Sequence, residues 1–241
     1  MEKFYDLKVL DKKQLTPESV SISLEIPESL RQEMAFKPGQ FVMVEKEIDG
    51  EKLRRYYSIY SPLGASNIQL GIKLKGKDGF ADYAMHQLKP GETLAVSKPM
   101  DDVPFALQSG AGKKYLGVTI GSGITPFFSI IQSLLQHQPQ HKFVLIYGNQ
   151  SPEYTMFYQE LNDLEKKYPD QLKVYHAFSQ SDKGVYQGRI SEDFMQQVLQ
   201  KEGTDFEAVY MIGPDDLKKM AAKVLLENGL PEKKLHYRVY S

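Results

Sequence analysis

The hydrophobic pattern changes period between residues 107 and 114, so one chain must build two different kinds of layer. Before that point the period is two. Val20, Ile22, Leu24 and Ile26 alternate with Ser21, Ser23 and Glu25, and "FVMVE" (41–45), "YYSIYS" (56–61), "IQLGIKL" (68–74) and "TLAVS" (93–97) follow the same pattern of half-buried strands. Turn signals separate them at Pro38-Gly39, Asp49-Gly50, Gly64, Asp78-Gly79 and Pro90-Gly91. This spacing predicts a small antiparallel barrel or sandwich, with one helix over about Ala81 to Leu88.

After the linker-like stretch "LQSGAGKK" (107–114), strand and helix patterns alternate. Strand "YLGVTI" leads to helix "PFFSIIQSLLQH", strand "FVLIYG" to helix "PEYTMFYQELNDLEKKY", and strand "LKVYHAF" to helix "SEDFMQQVLQKE", with Ser191 as its N-cap. Strand "AVYMIG", helix "PDDLKKMAAKVLLENG" and strand "LHYRVY" complete the series. Such alternation predicts a parallel sheet of five strands covered by helices on both faces. Two domains follow, at residues 1–107 and 113–241.

The chain has no cysteine, which excludes disulfides, thiolate zinc sites, Cys-ligated iron–sulfur clusters and cysteine nucleophiles. Any redox chemistry must use a bound organic cofactor. The net charge of -1 points to no nucleic acid and no anionic membrane surface. The five histidines are scattered, and His137 and His141 straddle Pro139, so no metal site is expected. The start, "MEKFYDLKVLDKKQ", interrupts its apolar residues with charges, unlike a signal peptide or a membrane span, and a cytoplasmic protein is expected.

"TIGSGITPFFSII" (119–131) sets Gly121, Ser122 and Gly123 between a strand and a helix. Backbone without Cβ lets a phosphate approach, and the helix start offers free N–H groups and a positive dipole end. The usual GxGxxG fingerprint departs at its third position, where Pro126 fits the first helical turn. "YGNQ" (147–150) carries Asn149 and Gln150 where a ribose-binding acid would stand, and a P-loop is excluded for want of GK[ST]. A dinucleotide turn and a tight turn that binds nothing both satisfy this segment alone.

In "RRYYSIYSP" (54–62), Arg55 and Tyr57 project from one side of a strand and Ser58 from the other. A guanidinium can fork onto phosphate oxygens, and a phenol ring can lie against a flat heterocycle. A surface strand with Arg–Tyr stacking accounts for the same residues.

Taken together, "RRYYSIYSP" resembles the RxYS flavin motif, "GSGITP" the nicotinamide motif and "YMIGPDDL" the late CGP motif of the ferredoxin-NADP reductase superfamily, in that family's order. "FKPGQFVMV" (36–44) and "YGNQSPEYTMFYQEL" (147–161) are similar to it as well, especially to flavodoxin or ferredoxin reductases and the reductase components of phenylacetyl-CoA epoxidases. The resemblance implies an antiparallel β barrel that binds FAD rather than FMN, joined to a Rossmann-like α/β domain that takes NADH or NADPH. Arg55 would hold the flavin pyrophosphate, Tyr57 would stack on the isoalloxazine, and Ser58 would hydrogen-bond near its N5. Ile72, Lys73 and the GxxS-like segment Gly79, Phe80, Ala81 and Asp82 belong to the same implied flavin site. Gly121, Ser122, Gly123, Thr125, Pro126, Asn149, Gly213 and Pro214 form the implied nicotinamide site, and Tyr240 would cover the flavin face.

Three positions depart from the family pattern. Asp82 replaces Ser or Thr beside a diphosphate, which costs Coulomb energy unless it turns away as an N-cap. Ile212 replaces the CGP cysteine, and Arg238-Val239-Tyr240 replaces the terminal ExF. Gln150 and Gln180 stand where NADPH-preferring relatives offer arginine, which leans toward NADH, with Lys183 or Arg189 as substitutes. With no cysteine and an end at Ser241, the chain is expected to lack an iron–sulfur domain and to pass electrons to a separate ferredoxin or flavodoxin. Lys73, Lys75 and Lys77, with Lys52, Arg54 and Lys233-Lys234 elsewhere, either attract such an acidic carrier or form ordinary solvated faces. The competing expectation is a catalytically weakened flavin- or nucleotide-binding module that senses or scaffolds within a redox assembly.

Overall fold

The computed structural model describes residues 3–48, 50–76, 79–101, 112–184 and 186–238. Contacts divide these residues into two compact units. The first comprises those up to 101 together with 125–133, and the second those from 112 to 124 and from 134 onward.

In the first unit the strands are β1 (Phe4–Thr16), β2 (Ser19–Glu25), β3 (Phe41–Ile48), β4 (Glu51–Ser58), β5 (Asn67–Lys73) and β6 (Thr93–Ser97), with helix α1 (Phe80–His86) before β6. They pair antiparallel in the order β4-β3-β6-β1-β2-β5. The two edges meet through an antiparallel bridge between Ile59 and Leu70 and a bond from Tyr60 N–H to Gln69 O at 2.9 Å, so the sheet closes into a barrel. Closure removes the unpaired edge. Leu7, Val9, Ile22, Leu24, Val44 and Leu70 fill the interior without exposure to water. Phe80 and Ala84 of α1 are buried with them, and Lys12 Nζ donates to the carbonyls of Ala84 (3.3 Å) and Met85 (3.2 Å), where the helix end is electronegative. Residues 125–133 join this unit through hydrogen bonds from Ser129 Oγ to Ser61 O (2.7 Å) and from Gln132 Nε2 to Tyr60 O (3.0 Å).

Strand β1 is a finding that the sequence pattern obscures. Tyr5, Leu7 and Val9 face the core, alternating with Asp6, Lys8 and Leu10, but register shifts on both sides of residues 11–14 break the alternation farther along.

The second unit contains β7 (Lys114–Ile120), both ends of α2 (Ile124–His137), whose middle belongs to the first unit, β8 (Lys142–Asn149), α3 (Tyr158–Lys167), β9 (Leu172–Phe178), β10 (Tyr186–Gln187), α4 (Glu192–Glu202), β11 (Ala208–Ile212), α5 (Asp215–Glu227) and β12 (Leu235–Arg238). All neighbours are parallel, in the order β10-β9-β8-β7-β11-β12. This corrects the expected five strands to six. The extra member, β10, is two residues long and has no apolar run to announce it; only its pairing of Tyr186 with Ala177 and Gln187 with Phe178 makes it a strand.

The helix expected from Pro152 through Tyr168 is also interrupted. A 3-10 turn spans Pro152–Tyr154, and α3 begins at Tyr158 after Phe157, which is buried with φ 59°. A left-handed conformation costs a non-glycine residue roughly 1–2 kcal/mol, and burial of the Phe157 ring offsets it. Ser191 caps α4 as expected, its Oγ accepting from Phe194 N–H at 3.2 Å. Among the described residues no helix is long and apolar enough to cross a membrane, and no group of three His, Cys, Asp or Glu side chains gathers to hold a metal.

Candidate functional site

Each unit carries a candidate site of its own. In the second, β8 lies on one side of β7 and β11 on the other, so the chain reverses its direction of travel across the sheet at β7. Open parallel sheets bind ligands outside the carboxyl ends of the strands at such a reversal. Gly121, Ser122 and Gly123 stand there at the end of β7, Asn149 ends β8, and Gly213 and Pro214 follow β11.

The glycines at this corner are required by contact and by conformation. Gly121 has φ 53°, which L side chains rarely adopt. A Cβ on Gly123 would lie 2.3 Å from Thr119 Oγ1 and 3.0 Å from Ile212 Cγ2. One on Gly213 would lie 2.9 Å from Leu217 Cδ2. Thr119 Oγ1 donates to Ile212 O at 2.8 Å, which draws the ends of β7 and β11 together. Ile212 is buried, so where the family pattern has a cysteine this chain has apolar packing against the glycine turn.

Electrostatics single out the start of α2. Helices α1, α3, α4 and α5 carry Asp82, Glu160, Glu192 with Asp193, and Asp215 with Asp216 in their first turns. At α5 these acids are engaged, Asp216 Oδ1 accepting Leu217 N–H at 2.9 Å and Asp215 meeting Lys218 Nζ at 2.7 Å. The first turn of α2 has no acid, and no side chain caps it. Among the described residues α2 is thus the helix whose first turn brings no negative charge to its positive dipole end, which suits it to an external anion, and Pro126 within that turn withdraws no N–H that the helix needs. Thr125 is buried beside it. Among the described residues Asn149 Nδ2 is buried with no well-aligned hydrogen-bond partner, although the amide acts as a donor toward the Tyr147 hydroxyl. An amide nitrogen carries two protons, so one remains for a ligand acceptor. The residues present fit a dinucleotide.

In the first unit, the structure brings the Arg55–Tyr57–Ser58 strand and the Gly79–Asp82 segment together: the Tyr57 and Phe80 rings are 5.6 Å apart. Burial pushes the Tyr57 phenol well above its ordinary value, and the nearby Arg55 charge opposes that shift. Arg55 is exposed, and its Nη1 donates to Arg54 O at 2.8 Å. Among the described residues it makes no ion pair, which leaves its charge for an anion such as a pyrophosphate. Ser58 is buried at the end of β4. Gly79 precedes α1 at φ 93° with open space where a Cβ would be. These residues fit a flavin nucleotide.

Other expected residues sit less directly. The Ile72 side chain is in the barrel core and its backbone pairs with Val20 of β2, and Lys73 Nζ is 3.6 Å from Glu18. Ala81 and Asp82 are in the first turn of α1, where Gly79 takes the N-cap; Asp82 instead lies 3.7 Å from His86 Nε2. Tyr240 and Lys77 lie outside the described residues. Lys52 and Arg54 converge on Glu45 at 3.1 and 2.6 Å, so two of the cations offered for carrier docking are already paired. Sequence reasoning missed Thr119 and Tyr147, which hold the glycine corner from beneath.

An oxidoreductase FAD-binding domain model matches residues 6–105, and an oxidoreductase NAD-binding domain model matches residues 118–223. The chain is 32% identical over 244 residues to a component of the 1,2-phenylacetyl-CoA epoxidase of Escherichia coli, covering 98% of this chain and 67% of that one. This chain belongs to the ferredoxin reductase-like family of FAD- and NAD-binding oxidoreductases. Another relative is the 3-ketosteroid-9-alpha-monooxygenase ferredoxin reductase component of Rhodococcus rhodochrous, 29% identical over 94% of this chain but only 62% of that one. The ferredoxin reductase-like fold extends over the whole chain: a ferredoxin NADP+ reductase from Neisseria gonorrhoeae, solved with FAD and NADP bound, superposes with a TM-score of 0.80 at 20% identity and covers 99% of both chains.

Proposed function

We propose that this chain is an NAD(P)H-dependent reductase that carries electrons through FAD to a separate ferredoxin- or flavodoxin-like protein. The carrying observation is the acid-free, uncapped start of α2 beside Gly121–Gly123, a corner suited to a dinucleotide pyrophosphate. When bound, FAD supplies the capacity to accept a hydride and to release electrons singly. Arg55 neutralises the flavin pyrophosphate, Tyr57 offers a ring face, and Ser58 offers a hydroxyl to the flavin edge. Gly121, Ser122, Gly123, Thr125 and Pro126 receive the coenzyme phosphates, Asn149 donates to the nucleotide, and Gly213-Pro214 shape the wall. Tyr240 supplies the aromatic cover by family resemblance.

NADH is the preferred donor. Gln180 N–H bonds Gln150 O at 2.8 Å, so these two exposed amides share one rim at the ends of β8 and β9, followed by the exposed Asp182. The two neutral amides suit a ribose diol and offer a 2'-phosphate no guanidinium, and Asp182 offsets the charge of the adjacent exposed Lys183. No finding favours the weakened-module alternative. An anaerobic absorbance titration tests the reading: protein that binds FAD and is bleached by NADH at lower concentration than NADPH is expected. Flavin that neither nicotinamide reduces would overturn it.

A further inference from the structure

The buried phenol of Tyr147, in the middle of the second unit's sheet, has a hydroxyl that ends beneath the glycine corner. Tyr147 has no exposure to water, and its OH donates to Gly121 O at 2.9 Å, with Met156 O farther off at 3.5 Å. A phenol has one proton, and the nearer acceptor takes it. The Gly121 carbonyl also accepts from Ile124 N–H in the 3-10 turn, so both of its lone pairs are used.

That bond controls a direction. In a trans peptide the C=O and the following N–H point opposite ways, and there are no cis peptides among the described residues. Drawing the Gly121 carbonyl inward to Tyr147 therefore turns the Ser122 N–H away from the core. Gly121, at φ 53°, is a residue at which a peptide plane rotates at little cost, and the Ile124 N–H, shared between the Gly121 and Ser122 carbonyls, holds it only in part; the Tyr147 hydroxyl supplies the second hold. The hold is itself rigid. The Tyr147 ring packs 5.9 Å from the His176 ring, which stacks on Phe178 at 5.4 Å and meets the Tyr158 edge at 5.0 Å. A ring wedged in this way keeps its oxygen at 2.9 Å from Gly121 O, nearer than to Met156 O.

We propose that Tyr147 is a positioning residue for the coenzyme: its hydroxyl locks the Gly121–Ser122 peptide so that the Ser122 N–H faces the dinucleotide phosphate. This rests on the proposed dinucleotide site. Tyr147→Phe keeps the ring and removes only the bond. In the FAD-loaded full-length protein, the variant is expected to raise the NADH dissociation constant and KM about tenfold while kcat stays within about twofold. Without coenzyme, 15N relaxation is expected to report greater mobility at Ser122 and Gly123 in the variant, with β8 amides unchanged. Equal KM and equal Ser122 mobility in the two proteins would overturn the role of Tyr147 while leaving the site intact. Wild-type protein that fails to bind NADH would overturn the site and this role together, and a loss confined to kcat would overturn the positioning role alone.

Discussion

His176 offers the most quantitative test of the second unit's interior. Its ring is enclosed by Tyr147, Tyr158 and Phe178, none of which carries a carboxylate, and among the described residues neither ring nitrogen has a hydrogen-bond partner. Burial pulls its pKa down to about 4. In the unfolded chain the value returns to about 6.5. Between these limits the unfolded state binds a proton that the folded state refuses, so stability is full above about pH 6.5 and falls as pH drops toward 4. The whole shift corresponds to about 3 kcal/mol, of which about 2 kcal/mol is lost between pH 7 and pH 5. His176→Phe retains the ring stack and removes the proton site. Urea unfolding followed at β8 and β9 amides should therefore show wild type losing about 2 kcal/mol more than the variant between those two pH values. Other titrating groups, including His236, which burial also pulls down, are common to both proteins and cancel. Equal losses in the two proteins, or an NMR titration of the His176 ring near its ordinary value, would refute the reasoning.

The remaining predictions concern the two sites. Arg55→Ala removes a charged hydrogen-bond donor worth roughly 1.5–3 kcal/mol, so FAD should bind about ten- to a hundredfold more weakly, measured by flavin content and fluorescence quenching. Gly123→Ala places a methyl 2.3 Å from Thr119 Oγ1 and should cost about 1–3 kcal/mol of stability in the second unit, read by urea unfolding, together with loss of coenzyme binding. Gln150→Arg should lower the KM for NADPH and leave that for NADH nearly unchanged, compared by steady-state kinetics. Because Lys52 and Arg54 are paired with Glu45 and Lys73 with Glu18, raising salt should slow reduction of a ferredoxin only modestly; a fall of several orders of magnitude would mean that unpaired cations elsewhere steer the carrier.

Much of this architecture is legible because the first half keeps a period of two and the second alternates strand and helix patterns regularly. The alternation of Val20–Ile26 announces a strand, although Ser21 and Ser23 are buried along with the apolar set, Ser21 Oγ meeting Tyr60 OH and Ser23 Oγ accepting from Asn67 Nδ2, and Ser191 announces the start of α4 by a local rule. The losses occur where long-range contact decides. Strand β1 is masked by its register shifts, β10 exists only through pairing with β9, and Phe157 breaks the expected helix because its ring is buried in a conformation the local sequence disfavours. The site follows the same division. Gly121, Gly123 and Arg55 are chemically conspicuous in the sequence, whereas Thr119 and Tyr147 act through partners 93 and 26 residues away.

The substitution of Ile212 for the family's cysteine gains a physical meaning from this corner. Its Cγ2 lies 3.0 Å from where a Cβ on Gly123 would stand, a tight contact behind the 2.3 Å clash with Thr119 Oγ1, and its carbonyl accepts the Thr119 hydrogen bond. The side chain is thus part of the wall that fixes the glycine turn, and an apolar residue performs that task without a thiol. Truncating Ile212 to Ala would open the wall and loosen the turn, while Ile212→Cys would restore the family's residue at a modest loss of volume. Retained positioning with altered hydride-transfer rate in Ile212→Cys would separate the chemical effect of the sulfur from the packing effect of the wall. In the proposed site, the Gly121–Gly123 turn is bounded by Ile212 on one side and by the Tyr147 hydrogen bond on the other, so a change at either should first appear in coenzyme affinity.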